Sequence, residues 1–214
     1  RLDVSEPEHG NALHGLLRFT AYEVRERSDA SVTLAAVIYP QHGWPFLVET
    51  WVRYRLLDDG VEVTHGARNH SAEPAPFATG AHPFLRVGTA SVADLRLVVP
   101  ASRYVAVDER MNPTGLLPVD GTPADLRDGP RVGDLRLDTA YGEIAYTDVA
   151  DGRGTAATLI APGGARTILR QDVDWGWVQV YTTDAFRGPD GPVDAVAVEP
   201  MTAPPDALNS GIGL

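Results

Sequence analysis

At 214 residues the chain is long enough for one domain with a substantial buried core, and 43% hydrophobic with 22% charged residues is the composition of a globular rather than a disordered protein. Its 18 basic residues, all arginine, face 29 acidic ones, and the resulting net charge of −11 argues against nucleic acid or an anionic membrane as partner, since both call for a basic surface. The absence of cysteine removes disulfides, thiolate metal sites and cysteine nucleophiles.

A cysteine-free chain suits a reducing, cytoplasmic location. No apolar run approaches the ~20 residues of a membrane-spanning helix, and no signal-peptide pattern opens the chain. The first residue, Arg1, is not Met and falls inside an already patterned segment, so the chain is expected to be part of a longer polypeptide.

The hydrophobic period is 2 almost throughout, which predicts strands. "SVTLAAVIY" (31–39) reads as a strand ended by Pro40. In "FLVETWVRYRLL" (46–57), Val48, Thr50, Val52, Tyr54 and Leu56 share one face, and "DDG" (58–60) turns the chain into "VEVTHGARNH" (61–70) as a hairpin. Further strands are expected in "ASVADLRLVVP" (90–100), "YVAVD" (104–108), "GTAATLIAP" (154–162), "ARTILRQ" (165–171), "WVQVYTT" (177–183) and "VDAVAVEP" (193–200). Turn chemistry at "APGG" (161–164) and "GPDGP" (188–192) separates them. Only "PADLRDGP" (123–130) and "PPDALNS" (204–210) offer a turn or two of helix. Many short strands between Gly/Pro turns, without repeat or linker, predict one all-β domain, a sandwich or barrel.

Four of the six histidines, His9, His42, His65 and His70, read as surface or structural residues. His14 and His82 stand in more constrained surroundings. "NALHGLLR" (11–18) sets Asn11, His14 and Arg18 around Gly15, and "PFATGAHPFLRVG" (76–88) holds His82 between a bend at Gly80 and the stiff ring of Pro83. "LRLDTAYGEIAYTD" (135–148) brings in Asp138 behind an apolar pair, and the apolar run Val193–Val198 ends on Glu199, fixed by Pro200. Taken singly, each has an ordinary explanation: a backbone-bonded histidine, a turn-capping aspartate, a salt-bridged glutamate. Taken together, acid and base groups at separate strand ends suit general acid–base catalysis. Trp51, Trp175, Trp177 and Phe84 offer flat faces for a sugar, although core packing is the commoner use of such rings. There is no HExxH, His-x-His or EF-hand pattern, no GxSxG elbow and no phosphate-binding glycine loop.

The segments "NALHGLLR", "TGAHPF", "LDTAY" and "VAVEPMTAPPDALNSG", in this order, resemble the aldose 1-epimerase (galactose mutarotase) family, and the resemblance runs over essentially the whole chain. It implies that 1–214 is a single antiparallel β-supersandwich domain with a sugar cleft on its concave face. It also implies that the chain is shortened at both ends: an arginine-bearing segment before the first histidine motif and a last strand after "NSGIGL" are missing from the pattern. By the same resemblance Glu199 is the general base, His82 the general acid, and His14, Asp138, Arg18 and Asn11 bind substrate. The implied reaction interconverts α and β anomers of an aldose, with a small-molecule sugar as partner and neither metal nor cofactor.

Two other readings remain open at this level. A hexose-6-phosphate mutarotase would use arginines such as Arg18, Arg86, Arg166 and Arg170 around the phosphate. A non-catalytic carbohydrate-binding sandwich, or the sandwich part of a glycosidase, would need no acid–base pair or would pair two carboxylates, for which Asp138 and Glu199 are available.

Overall fold

The computed structural model describes residues 2–214, which form two compact units: residues up to Phe77, and Ala78–Leu214. Both are built from antiparallel strands, as the period-2 patterning predicts. No helix among the described residues is long and apolar enough to cross a membrane.

The first unit is a four-stranded meander of β1 (Glu23–Arg27), β2 (Ser31–Ile38), β3 (Val48–Leu57) and β4 (Gly60–Asn69), in that order. The expected hairpin is present, with Leu57 opposite Gly60 across the Asp58-Asp59 turn. Alternation puts Val48, Thr50 and Val52 inward, and these are buried, whereas Tyr54 and Leu56 at the hairpin end are exposed. Ile38, Trp44 and Val48 form the unit's small core. On the other face Trp51 lies flat against its cross-strand partner Gly66, where a side chain would overlap the indole. Gly66→Val is therefore expected to cost about 1–3 kcal/mol by overpacking. Urea denaturation measures it, and an unchanged midpoint would refute the packing role.

The second unit has two sheets. Six strands lie in the order β5 (Phe84–Leu85), β14 (Gly191–Met201), β13 (Trp177–Gly188), β9 (Asp138–Ile144), β7 (Ala101–Val107) and β8 (Pro113–Pro118). The other sheet runs β10 (Thr147–Ala150), β11 (Arg153–Ile160) and β12 (Arg166–Asp172), with β6 (Arg96–Val98) also on β11. Both contribute to one core: Val178, Val180, Val196 and Val198 from the six-stranded sheet, and Leu97, Ala156 and Leu159 from the other. Each fully buried valine or leucine contributes about 1.5–3 kcal/mol relative to an exposed one.

Local differences from the sequence expectation have simple causes. The segment 90–100 is not one strand, because Val92–Asp94 closes a 3-10 turn before β6. "PADLRDGP" makes hydrogen-bonded turns rather than helix, and Ala207–Ser210 is a single helical turn. β13 and β14 continue past the expected boundaries, leaving only Pro189 and Asp190 between them.

Candidate active site

Strand pairing sorts the side chains of the six-stranded sheet. Gln179 lies opposite Glu199 on β14 and Ala140 on β9, and Tyr181 opposite Ala197 and Asp138. Since neighbours across a sheet share a face, Glu199, Gln179, Tyr181 and Asp138 all stand on the face opposite the buried row of Val178, Val180, Val196 and Val198. One face makes the core; the other collects the chemistry.

His82 reaches this face through a segment laid along β14. The Ala81 N–H donates to Pro200 O (3.1 Å), Val198 N–H to Pro83 O (3.2 Å) and Thr202 N–H to Thr79 O (2.9 Å). The Thr79 N–H donates to Thr202 Oγ1 (2.9 Å). The approach is close at Gly80, where a Cβ would stand 3.1 Å from both Pro200 O and Met201 Cγ. Pro83 keeps His82 extended, so the chain enters β5 with Phe84 opposite Ala197.

The result is direct contact: His82 Nε2 is 3.2 Å from Glu199 Oε1. The two groups are therefore within hydrogen-bonding distance, with no space the width of a sugar ring between them. Glu199 is buried, with 7% of its surface exposed, while the His82 side chain is 35% exposed. Burial, followed by the charge of Asp138, pushes the Glu199 carboxyl up to about 8. Asp138, expected from a buried-looking segment, is exposed at the start of β9 and accepts a 2.6 Å hydrogen bond from Gln179 Nε2.

Gln179 is a site residue that the sequence reading missed. Its signal is faint: a lone polar side chain between Trp177 and Tyr181 in a strand whose other face is valine. Its Oε1 is buried with no hydrogen-bond partner among the described residues.

The remaining predicted residues lie in the first unit, on one loop. Asn11 forms a backbone bridge with Glu6, and His14 takes a left-handed backbone (φ 59°) followed by Gly15 (φ 63°). The Arg18 guanidinium sits 4.9 Å over the Phe19 ring. The structure thus groups His82, Asp138 and Glu199 in the second unit and Asn11, His14 and Arg18 in the first. Of the other histidines, His70 pairs with Glu49 (3.2 Å), and burial pushes the His65 imidazole down. Trp177 covers Gly142, where a Cβ would come within 2.7 Å of the ring, so it packs as Trp51 does.

Comparison with known proteins identifies the fold and the family. A galactose mutarotase-like protein from Clostridium acetobutylicum superposes with a TM-score of 0.77 over 98% of this chain and 64% of its own, at 16% identity. A GalM/aldose epimerase homologue from C. elegans gives 0.66 over 85% of this chain and 59% of its own, at 20% identity. The fold is therefore the galactose mutarotase-like antiparallel β-supersandwich. In sequence, the family model for aldose 1-epimerase matches residues 1–214. The Escherichia coli (strain K12) protein YihR is 31% identical over 215 residues, covering 100% of this chain and 66% of that protein. Mouse galactose mutarotase is 31% identical over 97 residues, 44% of this chain and 28% of its own length. The chain belongs to the aldose 1-epimerase family, and it spans just under two thirds of the length of its full-coverage relative.

Proposed function

We propose that the protein is an aldose 1-epimerase that equilibrates the anomers of a free aldose by opening and reclosing the sugar ring. The contact between buried Glu199 and half-exposed His82 carries this reading, because it sets a base and an acid on one face within reach of one substrate. Glu199, ionised, takes the proton of the C1 hydroxyl while His82 protonates the ring oxygen. The C1–O5 bond breaks, the C1–C2 bond rotates, and attack of the C5 hydroxyl on the other face of the aldehyde reverses both proton transfers. Atoms and charge balance, and each proton transfer contributes about 10²–10⁴-fold.

Asp138 and Gln179 are proposed to hold sugar hydroxyls, with the Gln179 amide also keeping the Asp138 carboxylate in place. A phosphorylated substrate finds less support, because Arg86 and Arg170 spend donors on the carbonyls of Gly88, Asp148 and Arg153, while the site itself presents Asp138 and Glu199. Polarimetry of freshly dissolved α-anomers, free and 6-phosphorylated, tests the proposal. No acceleration of equilibration for any of them would remove it.

The electrostatics give a sign to the pH profile. A base titrating near 8 makes the rate rise as pH rises through that value. Asp138→Asn removes the second cause of the elevation, so the rising limb is expected to move to lower pH, whatever happens to its height. A limb that stays put or moves upward would contradict the coupling.

A further inference from the structure

Phe186 stands where simple alternation would not put it. On β13, Gln179, Tyr181 and Thr183 share the site face, so an uninterrupted strand would place Ala185 there next and turn Phe186 toward the other side. The β13–β14 register shifts between Thr183, opposite Ala195, and Phe186, opposite Val193: three steps on one strand match two on the other. This bulge inserts one residue and turns Phe186 onto the face of Tyr181 and Glu199. There its ring centroid lies 4.6 Å from that of Phe84, which in turn lies 5.1 Å from His82 and 6.4 Å from Tyr181. Phe84 is 40% and Phe186 39% exposed, so neither ring is used up in the core.

We infer that Phe186 is a specificity-determining residue, which with Phe84 forms an apolar wall continuing from His82 and stacks against the C–H face of an uncharged aldose. The inference rests on the epimerase reading for its substrate class. The chemistry of the wall follows from its surroundings. Aromatic faces attract C–H groups but offer nothing to an anionic substituent, and Asp138, which stands on the same face of the sheet, repels one. A bulge that re-aims one aromatic side chain toward an acid–base pair is a device for recognition, since the core neither needs nor receives that ring.

The test compares wild type, Phe186→Ala and Phe186→Tyr on D-galactose and D-glucose, each with its 6-phosphate, by polarimetry. Phe186→Ala is expected to raise KM for the neutral sugars about three- to tenfold with kcat within about twofold, the scale of one aromatic contact. Phe186→Tyr is expected to stay near wild type, and wild type to prefer the neutral sugars. An unchanged KM in Phe186→Ala, a fall confined to kcat, or a preference for the phosphates would overturn the inference. Calorimetric titration of the same three proteins with the same sugars separates the two readings. If wild type binds sugar without accelerating equilibration, the epimerase assignment fails, and the weaker binding expected of Phe186→Ala still decides the role of the wall.

Discussion

Glu199→Gln is expected to lower the rate of anomer equilibration by about 10²–10⁴-fold while aldose affinity stays within a few-fold. Glutamine preserves the shape and the hydrogen-bonding capacity toward a hydroxyl, but it cannot take the C1 proton. The same substitution has a second readout that does not depend on catalysis. In the folded protein the carboxyl titrates at about 8, above its ordinary 4.5, chiefly because it is buried. A raised native pKa means that the folded state holds the proton more tightly than the unfolded chain. The associated stability is complete below about pH 4.5 and is lost as pH rises through about 8. Glu199→Gln carries no such loss, so above pH 8 it is expected to be more stable than wild type by on the order of 2–4 kcal/mol. Near pH 4 the two proteins should be closely similar. Thermal unfolding at both pH values checks this, and a variant that is less stable at pH 9 would mean that the site favours the carboxylate after all.

His82→Asn is the complementary case. Loss of the acid is expected to cost about 10²–10³-fold in kcat, with little effect on stability, because the segment that carries His82 is held by backbone hydrogen bonds from Ala81 and Val198. Since the imidazole is partly open to solvent, free imidazole added to His82→Asn is expected to restore part of the rate. A variant with near-normal kcat would take the acid role away from His82. Because the wild-type pair is in contact, the proposed reaction has the histidine side chain give way to the sugar. The exposed imidazole, not the buried carboxylate, is the half able to do so.

The strands were legible because alternation is a local property of the chain. Val193–Val198 and the hairpin around Asp58-Asp59 follow from it directly. Strand order was not legible, and the site depends on it. Nothing in "TGAHPF" says that it lies against Pro200, although Gly80 and Pro83 mark a stiff, close-fitting segment. Gln179 was passed over because a polar residue in an alternating strand looks like any solvent-facing one until its neighbours are known. Phe186 was hidden in another way: a bulge breaks the period, so "DAFRGPDG" reads as loop. Asp138 stands out in the sequence as a carboxylate behind an apolar pair, yet the structure exposes it, and only the pairing of β9 with β13 puts it on the site face.

The strip 79–83 laid against β14 also bears on when the site comes into being. It joins stretches far apart in the chain through a handful of amide hydrogen bonds, and contacts of such long sequence separation are slow to form. The strip should therefore dock late in folding and fray early under mild denaturant, below the threshold for opening of the valine core. In a deuterium-exchange time course the amides of Ala81 and Val198, both bonded only across this strip, would become labile together while Val178 and Val180 stay protected. Protein that has lost only this strip would remain folded by circular dichroism yet have no imidazole beside its glutamate.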